Sequence, residues 1–346
     1  MTYIRSNAEK PSVAPSLAAA QAARPGAATR RVALFVLGLG RSGTSALTRV
    51  LSLCGATLPA GLLGATAVNP RGNWEPRAAI HLNEAILRRH GATGYDLTLR
   101  MQEEAAFDAD ENAACVAKIR AFLSTLPAAP LVVIKEPKMT ALCGMWFDAA
   151  RLAGFDIATV IAVRHPHDAV ASLAGTASGQ NYVHISPELG SAWWLKYTLL
   201  AEKDTRGVPR VFVEYANLLE DWRREVKRIS TALAIDLNAP DEGAIDEFLT
   251  PDLQHHRHDG PIAEPFGGDW ISAVYQALHA AARDEPWDES ALGRVFEAYR
   301  ASEHGFRTAL QDCDRYRRIN RLVLPSMLKL SLEVRAIAHR RKGTWA

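Results

Sequence analysis

Four short apolar runs punctuate this chain, at 32–37, 131–134, 158–163 and 211–213. Runs of that length, flanked by glycine, proline or charge, read as strands buried on both faces. Between them, apolar residues recur at three- and four-residue spacing over about 44–54, 76–90, 107–125, 140–153, 167–177, 190–204 and 217–234, which predicts helices. Strands alternating with helices build right-handed βαβ units. The expected fold is therefore α/β, a parallel sheet with helices on both faces. Beyond about residue 265 the pattern is helical to the end, which predicts an extra helical C-terminal region.

Composition narrows the function classes. The 346 residues are 48% apolar and 23% charged, with a net charge of +2, so the chain is globular and carries no overall nucleic-acid signature. Four cysteines, Cys54, Cys115, Cys143 and Cys313, show no C-x-x-C spacing and read as reduced residues of a cytosolic protein. Residues 1–29 are rich in Ala, Pro and Ser without periodicity and read as a disordered tail. The apolar stretch at 17–23 is too short for a signal-peptide core, and no run reaches the eighteen residues of a membrane span. The expectation is a cytoplasmic protein with its main domain over 30–310.

Residues 38–45 read Gly-Leu-Gly-Arg-Ser-Gly-Thr-Ser, directly behind the first strand. A strand, a glycine turn and a helix N-terminus in that order cradle phosphate with backbone N–H groups. The nucleoside-triphosphatase loop is G-x-x-x-x-G-K-[ST]. Here Gly38 and Gly43 hold the glycine positions, Thr44 stands where the lysine would be, and the cation is Arg41. The P-loop shape remains, but ordinary ATP or GTP chemistry is disfavoured. A second junction ends its strand at Arg164, opens a helix with Pro166 and places Ser172 about two turns further on. Arginine offers phosphate a bidentate fork. Taken one at a time, these residues also suit plain turns and caps.

As a set they resemble the sulfotransferases that use 3′-phosphoadenosine 5′-phosphosulfate (PAPS). Arg41-Ser-Gly-Thr-Ser45 is similar to that family's phosphosulfate loop, and Arg164 with Ser172 eight residues later is similar to its 3′-phosphate site. Tyr215, in a strand-to-helix segment, resembles the adenine-contacting tyrosine, although the Glu-Asp that follows it in the family is Ala216-Asn217 here. The resemblance covers about residues 30–260. It implies a sulfotransferase-like fold and transfer of a sulfuryl group from PAPS to a hydroxyl, with PAP as product and no metal. It also implies that Gly40, Arg41, Ser42, Gly43, Thr44 and Ser45 hold the phosphosulfate, Arg164 and Ser172 the 3′-phosphate, and Tyr215 the adenine. Arg257, in the basic segment 251–261, becomes a candidate second 3′-phosphate contact.

Attack on sulfur needs a general base for the acceptor hydroxyl. Cytosolic small-molecule members of the family use a histidine in a Lys-x-His stretch; here Lys135 is kept but Pro137 replaces the histidine. Carbohydrate and protein-tyrosine members use a glutamate between the phosphosulfate loop and the next strand. Asn69-Pro-Arg-Gly-Asn-Trp74-Glu75 resembles that element of bacterial sulfotransferases. Glu75 is the first candidate base and Glu136 the second. A carboxylate near a helix N-terminus also suits the dipole, and Glu136 would also pair with Lys135 or Lys138. Lys135 and Arg41 are candidates to stabilise the transferring group. His165 and His167 read as turn or capping residues. Trp74, Trp193 and Trp194 would line an acceptor site or fill the core. This branch implies a carbohydrate or glycolipid acceptor, with a small hydroxylated natural product as the alternative.

The last segment adds charge. From 315 to 346 nine Lys/Arg face one acid, Glu333, a net +8 that leaves the remainder near −6. Around the apolar stretch 322–334 this suggests a basic amphipathic helix over 311–346. Such a helix lies on an anionic membrane surface, on a partner or on its own domain. From other classes, a P-loop kinase or NTPase and a non-catalytic PAP-binding protein remain alternatives; the kinase would need Mg²⁺.

Overall fold

The computed structural model describes residues 31–66, 69–103, 106–179, 185–250, 261–322 and 325–342. The N-terminal tail and Arg257 lie outside them. The chain divides at Gly293 into two units.

The first unit is built on four parallel strands, β1 (Arg31–Leu37), β2 (Leu131–Lys135), β3 (Phe155–Val163) and β4 (Arg210–Glu214), in the order β2-β1-β3-β4. Ala33 to Leu37 and all of β2 are buried, as expected of strands covered on both faces. The chain leaves β1 for β2 on one side and returns to β3 on the other. The end of β1 is therefore a topological switch point, where α/β sheets bind ligands.

Helix α1 (Thr44–Leu53) follows β1, and α2 (Arg77–Arg89) and α3 (Ala109–Leu123) lead to β2. Helix α4 (Cys143–Leu152) precedes β3, and α5 (Pro166–Gly179) and α6 (Pro187–Asp204) lie between β3 and β4. Then come α7 (Tyr215–Glu220), α8 (Trp222–Leu233), α9 (Glu242–Phe248) and α10 (Trp270–Ala281). One layer of core joins Leu47, Val50 and Leu51 of α1 to Val160 and Val213 of the sheet and Ile229 of α8. Asp108, Ser186, Asp221 and Asp241 cap α3, α6, α8 and α9 by accepting a backbone N–H three residues on.

Two expected helices differ in detail. The segment 217–234 is two helices, because Asp221 leaves helical geometry (φ −152°) to cap α8. The segment 140–153 begins as a 3-10 turn at Pro137–Leu142, since proline sits at its start and removes a backbone donor.

The second unit begins at Arg294 and is helical over its described residues. It comprises the remainder of α11 (Glu289–Leu322), followed by α12 (Pro325–Lys342). Among the described residues no helix is long and apolar enough to cross a membrane. In α12, Met327, Leu330, Val334 and Ile337 are exposed at three- and four-residue spacing. Leu332 is also exposed, on the opposite side, so the apolar surface of this helix is not confined to one face.

Candidate active site

The C-terminal ends of all four strands meet in one place. Behind β1, Gly38 (φ 124°) lets the loop lie against β3; a Cβ there would meet the Ala162 carbonyl oxygen at 2.9 Å. Gly38 N–H donates to Thr140 Oγ1 at 3.0 Å. Gly43 (φ 89°) turns the chain into α1, whose first N–H groups have no side-chain cap and no carbonyl a turn earlier. Those donors are the ones an anion would take.

Arg41 is a non-glycine residue in the left-handed region, at φ 73°. Its carbonyl accepts from Arg164 Nη1 at 2.8 Å, and its Nε donates to Ser172 Oγ at 3.1 Å. The two predicted phosphate sites are therefore in direct contact, which spacing alone did not reveal. Arg164, at the end of β3, is 8% exposed, and its guanidinium carbon stands 5.0 Å from the Tyr215 ring centroid. Its own carbonyl accepts from Trp194 Nε1 at 3.1 Å. Trp194 thus belongs to the core that aims Arg164. Arg164 Nε is buried and makes no hydrogen bond. An orphaned, buried guanidinium donor fits an anionic ligand. Burial pulls the pKa of Arg41 and of Arg164 below the usual arginine range. Their two cations stand close together, a cost that an incoming polyanion would offset.

Across the loop, Lys135 ends β2 and is 1% exposed. Its Nζ donates to Glu75 Oε1 at 2.6 Å and to Ser45 Oγ at 3.0 Å. Burial lowers the Lys135 pKa, and Glu75 opposes that shift. Glu75 follows Trp74, a second non-glycine residue at positive φ (58°). Trp74 Nε1 donates to the Arg71 carbonyl at 3.1 Å, and the Arg49 guanidinium lies 4.6 Å from its ring. The Glu75 carbonyl accepts from Leu63 N–H at 2.7 Å, while Asn69 reaches Asn73 Oδ1 and Ser45 Oγ. Trp74 is thus part of the turn that presents Glu75. Asn69 and Asn73, within the 69–75 segment, are supports of this turn that the sequence pattern alone does not mark.

Glu136 is placed differently. Its carboxylate is fully buried and accepts from Asn83 Nδ2 at 2.5 Å and Lys138 Nζ at 2.7 Å, while Trp146 Nε1 donates to Asn83. Burial raises the Glu136 pKa, and Lys138 opposes this. Burial also works against the Lys138 charge, but Glu136 outweighs it and the Lys138 pKa is raised. His167 Nε2 accepts from Ala263 N–H at 2.9 Å, and the His165 ring lies 4.9 Å from that of Tyr275.

Comparison with known proteins decides the family. Residues 33–239, well over half of the chain, match the sulfotransferase family. The chain belongs to the sulfotransferase family. The matched span contains the loop at 38–45, Glu75, Lys135, Arg164, Ser172 and Tyr215. Among solved structures, the sulfotransferase domain from the curacin biosynthetic pathway is similar at 13% identity, over 75% of this chain and 100% of that chain (TM-score 0.39). The sulfotransferase domain from the Synechococcus PCC 7002 olefin synthase is similar at 19% identity, over 80% and 96% (TM-score 0.35). Sulfotransferase STF1 from Mycobacterium tuberculosis H37Rv is similar at 18% identity, over 65% and 72% (TM-score 0.32). No curated protein sequence matches the chain.

Proposed function

We propose that this sulfotransferase moves the sulfuryl group of PAPS to a hydroxyl of a carbohydrate or glycolipid, with Glu75 as general base. The observation that carries the reading is Lys135, whose ammonium bridges Ser45 of the phosphate-type loop and Glu75. Donor-side and acceptor-side groups thus share one buried cation. The acceptor oxygen attacks sulfur and its proton passes to Glu75. The bond from sulfur to the 5′-phosphate oxygen breaks, and PAP leaves with the added negative charge. Arg41, the first-turn N–H groups of α1 and Lys135 stabilise that charge as it develops. Arg164, with its orphaned Nε, selects the 3′-phosphate, and Tyr215 lies where an adenine would rest. A small hydroxylated natural product is the competing acceptor.

Thermal shift tests the donor. PAP raises the melting temperature by mass action on the wild type, and Arg164→Ala loses that shift. A shift with ADP–Mg²⁺ and none specific to PAP would overturn the reading in favour of a kinase or NTPase.

We also infer that the protein works in the cytoplasm, with the inner membrane surface and a partner as alternative seats of its C-terminal helix. Its four cysteines are free, which suits a reducing compartment. The exposed apolar residues of α12 and the +8 charge of 315–346 suit an anionic lipid surface.

A further inference from the structure

The loop 91–99 is held by an arrangement that the donor chemistry leaves unexplained. Three side chains of α6, at positions 193, 196 and 197, lie on one helical face and donate to its carbonyls. Trp193 Nε1 reaches Tyr95 O at 2.7 Å, and Tyr197 OH reaches Gly94 O at 2.7 Å. Lys196 Nζ reaches Asp96 O at 2.6 Å and Thr98 O at 2.7 Å. Lys196 is only 3% exposed. A buried ammonium needs its hydrogen bonds satisfied, and the loop supplies two carbonyls for that purpose, which ties the loop conformation to α6.

What the clamp presents is Tyr95. Its side chain is among the most exposed large apolar groups of the molecule, at 67%, although its carbonyl is pinned. The ring rests on the buried Trp193, with centroids 4.9 Å apart and planes at 46°. An aromatic residue left in water on a rigid backing has a face to offer.

The loop lies against Lys138, three residues beyond Lys135 at the end of β2. Gly94 lies against the aliphatic stem of Lys138; a Cβ there would come within 2.8 Å of Lys138 Cδ. Lys138 Nζ pairs with Glu136 at 2.7 Å and with Glu84 at 3.5 Å, and the Glu75 carboxylate is among the charges acting on it. Lys138 and Glu84 are partly exposed, whereas Glu136 is buried, so the loop that carries the ring lies next to one ammonium and one carboxylate open to solvent, a setting that suits a ligand with an apolar C–H face and hydroxyls around its edge.

The geometry points to Tyr95 as the acceptor-binding platform, stacking on the face of a pyranose ring, with Trp193, Lys196 and Tyr197 as its positioning residues. This inference rests on the sulfotransfer reading above and deepens it. The chain, saturated with PAP, is studied by ligand-observed saturation-transfer NMR with methyl β-D-glucopyranoside, sorbitol and p-nitrophenol as probes. The pyranoside should receive saturation on its ring C–H protons, whereas sorbitol, with hydroxyls but no ring, should not. Tyr95→Ala should weaken the pyranoside contact by about tenfold while Tyr95→Phe preserves it. The PAP-induced thermal shift should be the same in all three proteins. Pyranoside binding indifferent to Tyr95→Ala, equal binding of sorbitol, or contact with p-nitrophenol alone would overturn the assignment. So would the absence of any pyranoside contact in a protein that binds PAP. Failure of the wild type to bind PAP would instead strike the donor reading and this one with it.

Discussion

Gly43→Ala tests whether the glycine loop and Tyr215, the residue proposed to face the adenine, are built as one unit. Gly43 has φ 89°, and a Cβ there would fall 2.4 Å from Tyr215 Cδ2, 2.8 Å from Cγ and 3.1 Å from Cβ. The left-handed backbone costs a residue with a side chain about 1–2 kcal/mol. The overlap reaches the base of the tyrosine ring, which cannot swing away as a flexible tip would, and overpacking of this kind costs about 1–3 kcal/mol. Together the substitution should destabilise the chain by about 2–5 kcal/mol, read by urea denaturation. Displacing the ring also removes it from Arg164, so PAP should bind about tenfold more weakly, measured calorimetrically. A double-mutant cycle with Tyr215→Ala isolates the steric part. In that background Gly43→Ala should cost only the backbone share, about 1–2 kcal/mol. An equal cost in both backgrounds, or unchanged PAP affinity in the single variant, would refute the reasoning.

Glu75→Gln should reduce turnover by about 10²-fold or more, as loss of a general base does, while PAP affinity stays close to that of the wild type; near-normal turnover would remove Glu75 from the role. Asp204, which burial pushes up to about 6 from 3.8, holds its proton more tightly folded than unfolded. Its contribution to stability is therefore complete below about pH 4 and lost as pH rises through about 6. Asp204→Asn should be more stable than wild type at pH 7.5 by up to about 3 kcal/mol and equal to it near pH 4; denaturation curves that differ equally at both pH values would contradict this. Full-length protein should float with vesicles containing phosphatidylserine, and Leu330→Glu combined with Val334→Glu should abolish flotation; flotation that survives the substitutions would dismiss the surface role of α12.

Much of the scaffold was legible because its signals are local. The four strands announce themselves as short apolar runs, and the glycine loop and Arg164 stand at the strand ends where the topology needs them. The break at Asp221 was not read, since capping by one aspartate interrupts no apolar period. The two glutamates look alike in sequence, each beside a proline and within two residues of a basic side chain (Arg77 for Glu75, Lys135 and Lys138 for Glu136). Their burial separates them: Glu136 is enclosed by Asn83 and Lys138, whereas Glu75 sits on a strained turn beside Ser45 and Lys135.

The sequence by itself determined the strands and most of the helices, because periodicity and glycine act over a few residues. Only the tertiary structure decided which of those residues meet. Arg41 with Ser172, Lys135 with Glu75 and Tyr95 with α6 are each separated by 60 residues or more along the chain. The sheet order brings them together, and contact over such a distance depends on packing, which no local pattern records.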